Sequence, residues 1–360
     1  MGCLTRNIDL THFSTKNIEN MSRMFMLTPL TGRYEVSSES FSTSKVKSMW
    51  QMFAYAGRIT GTSTFGYPIP GGADFPVFQF KQNCEVAQMF SNAYIPVDLS
   101  DCKPAGETNG CGLNNIYDYS DMFYNFAINA LPSVAIPSSE EEDPEPIGHP
   151  ENLKIKLPSS GWTPPAGSYM NEMFRGCKAN VDLSGIESFE NVVDMSRMFM
   201  SYGNGDVTWM GYEQVGITLP KTQGFKISTA DNATMAEMFK GYKGLDVKEE
   251  GSEDTRASFQ EIINCLDTSK VVDMSEMFCG AKVENINLNT ANFDTTNVRN
   301  MYYMFGSQLL RESYVKTITL GDKFKIDNVV DMRYMFGSVG DYNMALRTIY
   351  YAGTNMKNAD

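Results

Sequence analysis

The chain has 360 residues, a formal net charge of −13 and a pI near 4.8. This acidic balance argues against sequence-independent binding to nucleic acid or to an anionic membrane surface, because both need clustered Lys and Arg. No stretch approaches the roughly 18 consecutive apolar residues of a membrane-spanning helix, so membrane insertion is not expected. No secretory signal is recognisable before the first repeat either.

One short phrase, Met-x-x-Met-Phe, recurs ten times if two copies with a relaxed first position are included. The first copy is Met21-Ser-Arg-Met24-Phe25. The phrases end at Phe25, Phe53, Phe90, Phe123, Phe174, Phe199, Phe239, Phe278, Phe305 and Phe336. Because internal repeats decide the architecture, we predict one elongated domain over residues 1–360 rather than two or three compact ones.

The apolar positions in and before the phrase predict a short helix. Val or Ile usually stands three residues before the first Met, as at Val271 and Val298, so four apolar side chains fall on one helix face. Polar N-cap residues precede this stripe, and a glycine such as Gly280 often follows the Phe. We therefore predict a helix of about two turns per repeat, in which the methionines pack the core.

A second recurring element has the pattern apolar-x-Leu and predicts a half-buried strand. These strands are predicted at residues 8–10, 97–99, 155–157, 181–183, 217–219, 286–288 and 318–320, with further ones at 34–36, 77–80 and 349–351. The fold class predicted is therefore an α/β solenoid. It would be a leucine-rich-repeat-like right-handed coil of parallel strands and short helices, with about ten repeats and irregular insertions.

The insertions differ from repeat to repeat. Those near residues 54–76 and 200–224 are rich in glycine and aromatic residues, and a strongly acidic one lies between Gly241 and Ala257. The stretch near 138–151 is acidic and interrupted by proline, which predicts a solvated loop, with a specific cation or receptor site as the alternative. The first repeat has no polar cap before it. We therefore expect either a neighbour at that end or a longer chain.

The residues for catalysis or metal binding are sparse. The chain has two histidines and no phosphate-binding or dinucleotide-binding motif, so neither an enzyme nor a cofactor is predicted. Among the seven cysteines, Cys102 and Cys111 flank a short loop and could close a disulfide or remain reduced.

Three groups of residues are candidates for binding a partner. The middle residues of the predicted strands would form a polar ladder on the sheet face, although a merely solvated face explains them equally well. Tyrosines at exposed helix positions and aromatic residues in the glycine-rich insertions form the other two groups. The candidates are Asp9, Asp98, Asp182, Asn287, Tyr302, Tyr303, Tyr334, Trp209, Tyr212, Phe65 and Tyr67.

Two copies of the repeat resemble a known family. Residues 293–305 read Phe-Asp-Thr-Thr-Asn-Val-Arg-Asn-Met-Tyr-Tyr-Met-Phe, and residues 266–278 read Leu-Asp-Thr-Ser-Lys-Val-Val-Asp-Met-Ser-Glu-Met-Phe. Both resemble the repeat of about 25 residues in BspA-like bacterial surface proteins. The resemblance implies a leucine-rich-repeat-like solenoid, surface display and a role in adhesion or partner binding, with no catalytic residues. The long insertions, and the lack of a recognisable signal, lipid-anchor cysteine or anchoring domain, depart from the family pattern.

Two functional hypotheses follow from these observations. The first is a non-enzymatic recognition or adhesion protein at an extracellular or particle surface, which binds a protein or glycan partner. The second is a structural subunit of a larger assembly, such as a phage or virus particle, whose insertions contact neighbouring subunits.

Overall fold

A computed structural model of the chain shows how the repeats fold. It describes residues 8–10, 12–28, 34–36, 41–56, 78–95, 97–127, 155–204, 214–249, 251–306, 314–337 and 348–351. The acidic stretch 138–151 lies outside these residues, as do residues 57–76 of the first glycine-rich insertion and residues 205–213 of the insertion near 200–224.

The apolar-x-Leu runs form strands, as predicted, although several are one residue shorter. The strands at these and the three further predicted positions are β1 (Ile8–Leu10), β2 (Tyr34–Val36), β3 (Gln79–Phe80), β4 (Val97–Asp98), β6 (Ile155–Lys156), β8 (Val181–Asp182), β10 (Ile217–Thr218), β13 (Asn285–Asn287), β14 (Thr317–Leu320) and β15 (Thr348–Tyr351). Other strands lie elsewhere in the repeats: β5 (Lys103–Pro104), β7 (Ser168–Tyr169), β9 (Val192–Asp194), β11 (Ala233–Thr234) and β12 (Val271–Asp273).

These strands pair in parallel, and most pairs join one repeat to the next. The sheet orders are β1-β2, β3-β5, β4-β6-β8-β10, β7-β9-β11-β12 and β13-β14-β15. Isolated parallel bridges extend the β7-containing sheet in both directions, from Tyr169 to Asp118 and from Asp273 through Asn300 to Asp331. Parallel sheets with few helices are consistent with a repeat-built α/β fold.

The predicted helix at each Met-x-x-Met-Phe phrase is wrong, because the phrase forms hydrogen-bonded turns. In all ten copies the third residue has a positive φ, which lies between 51° and 59°. These residues are Arg23, Gln51, Gln88, Asp121, Glu172, Arg197, Glu237, Glu276, Tyr303 and Tyr334. A left-handed residue interrupts the run of right-handed dihedrals that a helix requires.

The hydrogen bonds of the phrase run between repeats rather than along a helix. Within one copy, the Met277 amide donates to the Met274 carbonyl at 3.2 Å and closes a turn. The Glu276 amide donates to the Tyr302 carbonyl of the next repeat at 2.7 Å, and the Phe278 amide donates to the Met304 carbonyl at 2.9 Å. Equivalent bonds from the third residue and from the Phe recur at all nine junctions between the ten copies.

The phenylalanines of the ten phrases form one continuous stack. Each ring lies 5.2–6.0 Å from the next, centroid to centroid, and the ring planes differ by 2–15°. The methionines beside them are almost fully buried in most copies, so the prediction that they pack the core is confirmed. The stack follows from the repeat, because each copy places the same side chain at the same position on parallel turns.

One α-helix, α1 (Phe259–Cys265), occurs in the described part of the chain, and sequence reasoning did not predict it. Ser258 caps its first turn, since the Ser258 hydroxyl accepts from the Glu261 amide and the Glu261 carboxylate accepts from the Ser258 amide. This Ser-x-x-Glu pattern is a capping box. It could have been read from the sequence as a helix start.

Candidate binding surface

In most copies, the side chain of the residue before the phrase stabilises the turn with a hydrogen bond to the backbone two residues on. Asp273 Oδ1 accepts a hydrogen bond from the Ser275 amide at 2.8 Å, and Asn300 Oδ1 accepts one from the Tyr302 amide at 3.0 Å. Equivalent bonds join Asn20 to Ser22, Asp118 to Ser120, Asp194 to Ser196, Thr234 to Ala236 and Asp331 to Arg333. Asn, Asp and Thr favour such turns because a short side chain can accept from the backbone two residues on.

The third residues of the phrases form a ladder of side chains along this surface. At its amino-terminal end, Arg23 Nε donates to Gln51 Oε1 at 2.8 Å, and Gln51 Nε2 donates to Gln88 Oε1 at 2.6 Å. Gln88 Nε2 lies 3.5 Å from an oxygen of Asp121. The left-handed turn thus orders polar side chains from four successive repeats.

In the middle of the ladder, two cations each bridge a pair of carboxylates. Arg197 lies 3.1 Å from Glu172 and 2.7 Å from Glu237, and Lys240 lies 2.9 Å from Glu237 and 2.6 Å from Glu276. Burial alone raises the pKa of Glu237, but hydrogen bonds from Arg197 and Lys240 outweigh it and leave that pKa below its ordinary value. Arg175 also contacts Glu172, at 2.6 Å, so three cations face three carboxylates and this segment is an ion-pair network rather than an open anionic site.

Asp121 is the exception among these carboxylates. Burial raises its pKa to about 6, and the negative charge of Glu172 in the next repeat adds to the shift. Hydrogen bonds from Arg175 and Arg197 stabilise Glu172 in its charged form. Of these two neighbouring carboxylates, Asp121 is therefore the one whose ionisation is unfavourable.

The ladder ends in a tyrosine patch, which consists of Tyr302, Tyr303 and Tyr334. The rings of Tyr303 and Tyr334 stack at 5.0 Å, and Tyr302 meets them edge-on at 5.0 and 6.2 Å. Tyr334 is 62% exposed, while Tyr302 and Tyr303 are half-buried. The Arg333 guanidinium lies 5.4 Å from the Tyr302 ring centroid, and a salt bridge to Asp331 orients it.

The strand candidates lie on a different face and are less concentrated. Asp98 and Asp182 are exposed in the sheet β4-β6-β8-β10, where Asp98 pairs in register with Lys156 and forms an ion pair with it at 2.9 Å. Asp182 accepts from the Ser184 amide, and Asn287, in a separate sheet, accepts from the Asn289 amide. These side chains therefore have structural partners of their own.

The remaining candidates lie where the structure gives no side-chain description. Asp9 belongs to β1 and pairs in register with Glu35, but only its backbone is described. Trp209, Tyr212, Phe65 and Tyr67 all lie outside the described residues. The proposal that the insertions bind a partner stays a prediction.

The sequence analysis predicted a helix at each phrase and so missed the polar ladder of third residues. A signal was present, because Gln51 and Gln88 occupy the same position of successive copies, and Arg197 lies between Glu172 and Glu237 in the repeat order. Side chains at one position of stacked repeats are neighbours, so complementary residues in consecutive copies indicate a ladder.

Neither a metal-binding cluster nor a membrane-spanning helix is found among the described residues. No group of three or more His, Cys, Asp or Glu side chains there could hold a metal ion. No helix among them is long and apolar enough to cross a membrane.

Comparison with known proteins identifies one family. The family model described as "Mycoplasma protein of unknown function, DUF285" matches residues 2–126, 151–208 and 233–358. No curated protein and no solved structure matches the chain significantly.

Proposed function

The chain belongs to the DUF285 family of Mycoplasma proteins, and we propose that it is a non-enzymatic recognition or adhesion protein that binds a partner through the tyrosine patch. In this proposal the chain is displayed on a cell or particle surface. The partner is a protein, and a surface glycan is the alternative that the experiment below distinguishes.

We also propose the finer architecture: a leucine-rich-repeat-like right-handed solenoid of about ten BspA-like repeats. In-register parallel pairing between successive repeats supports it, as does the continuous stack of ten phenylalanine rings. Solenoids of this kind offer long exposed surfaces made of equivalent positions. Here Tyr303 and Tyr334 of the patch occupy equivalent positions of two neighbouring repeats.

The observation that carries the functional proposal is the composition and exposure of the patch. Tyrosine and arginine are enriched in the energetically dominant parts of protein interfaces, since they combine a large apolar area with a hydrogen-bonding group. Tyr302, Tyr303 and Tyr334 contact one another and Arg333, so they are held in place before a partner arrives. Preorganised side chains lose little conformational freedom on binding.

The test compares the binding of the labelled chain to a panel of cultured cells with that of two variants. Replacing Tyr303 and Tyr334 by alanine should reduce cell binding at least tenfold, because two large interface residues at about 1–2 kcal/mol each are lost. The matched control is Tyr169→Ala, which removes a tyrosine that is 48% exposed in an earlier repeat and lies outside the patch. This control should bind like the wild type.

Treating the cells before binding identifies the partner class. Loss of binding after protease treatment, with no effect of glycosidases, supports a protein partner. Loss after glycosidases alone would instead identify a glycan. Equal binding by the wild type and the double variant, with both chains folded, would refute the patch as the binding site.

A different observation favours the second candidate function, a structural subunit of a larger assembly. In the last phrase Met332 is 44% exposed, whereas the first methionine of every other complete copy is nearly fully buried, and Val330 beside it is 77% exposed. Exposed apolar groups of this kind suit contact with a neighbouring subunit. Light scattering over a dilution series tests this function, since a persistent oligomer supports it and a stable monomer argues against it.

A further inference from the structure

A buried pair of thiols closes the base of an exposed loop, away from the tyrosine patch. Residues 106–110 form the exposed tip of this loop, and Cys102 and Cys111 lie at its two ends with exposed fractions of 3% and 7%. Both cysteines are free thiols, and each shifts the pKa of the other, as only close neighbours do. Two buried thiols at the two ends of one short loop are candidates for a covalent bond.

The backbone around the pair is tightly held. The Gly112 amide donates to the Cys102 carbonyl at 2.9 Å, so the chain segments that carry the two sulfurs lie side by side. A Cβ atom on Gly112 would lie 2.5 Å from the Lys103 carbonyl oxygen, which requires glycine there. The buried Tyr119 hydroxyl donates to the Leu113 carbonyl at 2.7 Å and anchors the segment that follows.

The two thiols differ in acidity. The hydrogen bond from Cys102 lowers the pKa of Cys111, and the positive charge of Lys103 adds to the effect. The same interaction, together with burial, raises the pKa of Cys102. Cys111 is also the more exposed of the two cysteines, at 7% against 3%. Because the thiolate is the reactive form and must be reached by the oxidant, Cys111 is the nucleophile of the pair and Cys102 the thiol that resolves the intermediate.

We propose that Cys102 and Cys111 are a redox-sensitive clip that a small disulfide such as oxidised glutathione converts into an intramolecular disulfide, bracing the base of the loop 103–110. The Cys111 thiolate attacks one sulfur of the oxidant, forms a mixed disulfide and releases one glutathione thiolate. The Cys102 thiol then gives its proton to solvent, and its sulfur attacks Cys111 and releases the second glutathione. Two protein thiols are oxidised, and one glutathione disulfide is reduced to two thiols.

The experiment treats the folded full chain with oxidised glutathione, blocks the remaining thiols and measures the products by mass spectrometry. Cleavage after Glu107 separates the two cysteines, so a disulfide between them appears as one linked peptide pair that a reductant splits. We expect this link to be the main product in the wild type, with a loss of two hydrogen atoms from the intact mass. The oxidised chain should also have a higher thermal midpoint than the reduced one, because the link restricts the unfolded chain.

Three variants separate the roles of the cysteines. Cys102→Ser should retain a glutathione on Cys111, because no thiol is left to displace it, whereas Cys111→Ser should gain no adduct at Cys102. Cys84→Ser is the matched control: its thiol is also buried, and it should form the 102–111 link like the wild type. Glutathione that remains on the wild type, a link to another cysteine, or no reaction of the folded wild type would each overturn the proposal.

Discussion

At the scale of single residues, the third position of the phrase combines a strained backbone with an ordered side chain. A non-glycine residue in the left-handed region costs roughly 1–2 kcal/mol. At Glu276 this conformation lets the amide reach the Tyr302 carbonyl and places the carboxylate against Lys240. The contacts between repeats therefore offset this backbone strain. An isolated repeat would have no such contacts to offset it.

Asp121 gives a prediction for pH. The pKa of Asp121 is ordinarily 3.8 and is about 6 in the folded protein. Protonated Asp121 therefore contributes fully to stability below pH 3.8, and this contribution is lost as the pH rises through about 6. Asp121→Asn removes the charge and should make the protein more stable than the wild type at pH 7, by about 1 kcal/mol after allowance for solvent screening. The difference should vanish near pH 4. Urea unfolding at a series of pH values measures it.

Asp98→Asn is the matched control for this experiment. Burial raises the pKa of Asp98, but hydrogen bonds from Ser100 and Lys156 outweigh it and leave the pKa below its ordinary value. Its stabilising contribution is therefore present above the ordinary pKa and is lost in acid. Asp98→Asn should be less stable than the wild type at pH 7. The same sign for both variants would contradict the assignment.

At the scale of elements, the phenylalanine stack joins the repeats through their centre. Phe174 is fully buried between Phe123 and Phe199, with centroid distances of 5.5 and 5.6 Å. Phe174→Ala removes one buried ring from two stacking contacts and should lower the free energy of unfolding by about 3–5 kcal/mol. Denaturant unfolding measures this loss.

The control for the stack is Phe13→Ala. Phe13 is 54% exposed, so its removal should change the free energy of unfolding by no more than about 0.5 kcal/mol. Similar losses for the two variants would mean that burial in the stack does not determine stability.

The helix α1 gives a second prediction at this scale. Ser258→Ala leaves the Glu261 amide without its side-chain acceptor and should destabilise the protein by about 1 kcal/mol, measured by thermal unfolding. Ser258→Thr should retain most of the stability, since threonine keeps the hydroxyl that accepts from the Glu261 amide and donates to its carboxylate. Equal stability of the alanine variant and the wild type would show that the capping box contributes nothing.

At the scale of the whole molecule, the sequence predicted the strands and the buried positions but not the conformation of the phrase. Val298, Met301, Met304 and Phe305 are buried as predicted, because apolar residues at these offsets face the core in the stacked turns as they would in a helix. The pattern alone therefore fits both conformations. Only the hydrogen bonds between repeats favour the turn over the helix. The sequence of a single repeat does not reveal these bonds.

For the tyrosine patch, too, the sequence predicted exposed positions but not the contacts among the three rings. Tyr302, Tyr303 and Tyr334 were expected at exposed helix positions, and Tyr334 is indeed exposed, but on a turn. Their mutual contacts depend on the stacking of two repeats, so helix geometry could not predict them. Of the predicted strand ladder, Asp98 and Asp182 lie in one sheet, whereas Asp9 and Asn287 lie in two other sheets. The local hydrogen bonds of these side chains depend on the turns that follow the strands.

The measurement that tests the stacked-turn account most directly compares glycine with alanine at the third position of two distant repeats. Gln51→Gly, Gln51→Ala, Glu276→Gly and Glu276→Ala all remove the polar side chain, so within each pair only the backbone preference differs. Glycine adopts a positive φ without strain, so we predict that at both positions the glycine variant is more stable than the alanine variant by about 1 kcal/mol in urea unfolding. A helix would give the opposite order by a similar amount, because glycine is the poorer helix former. Greater stability of alanine at both positions would therefore contradict the account.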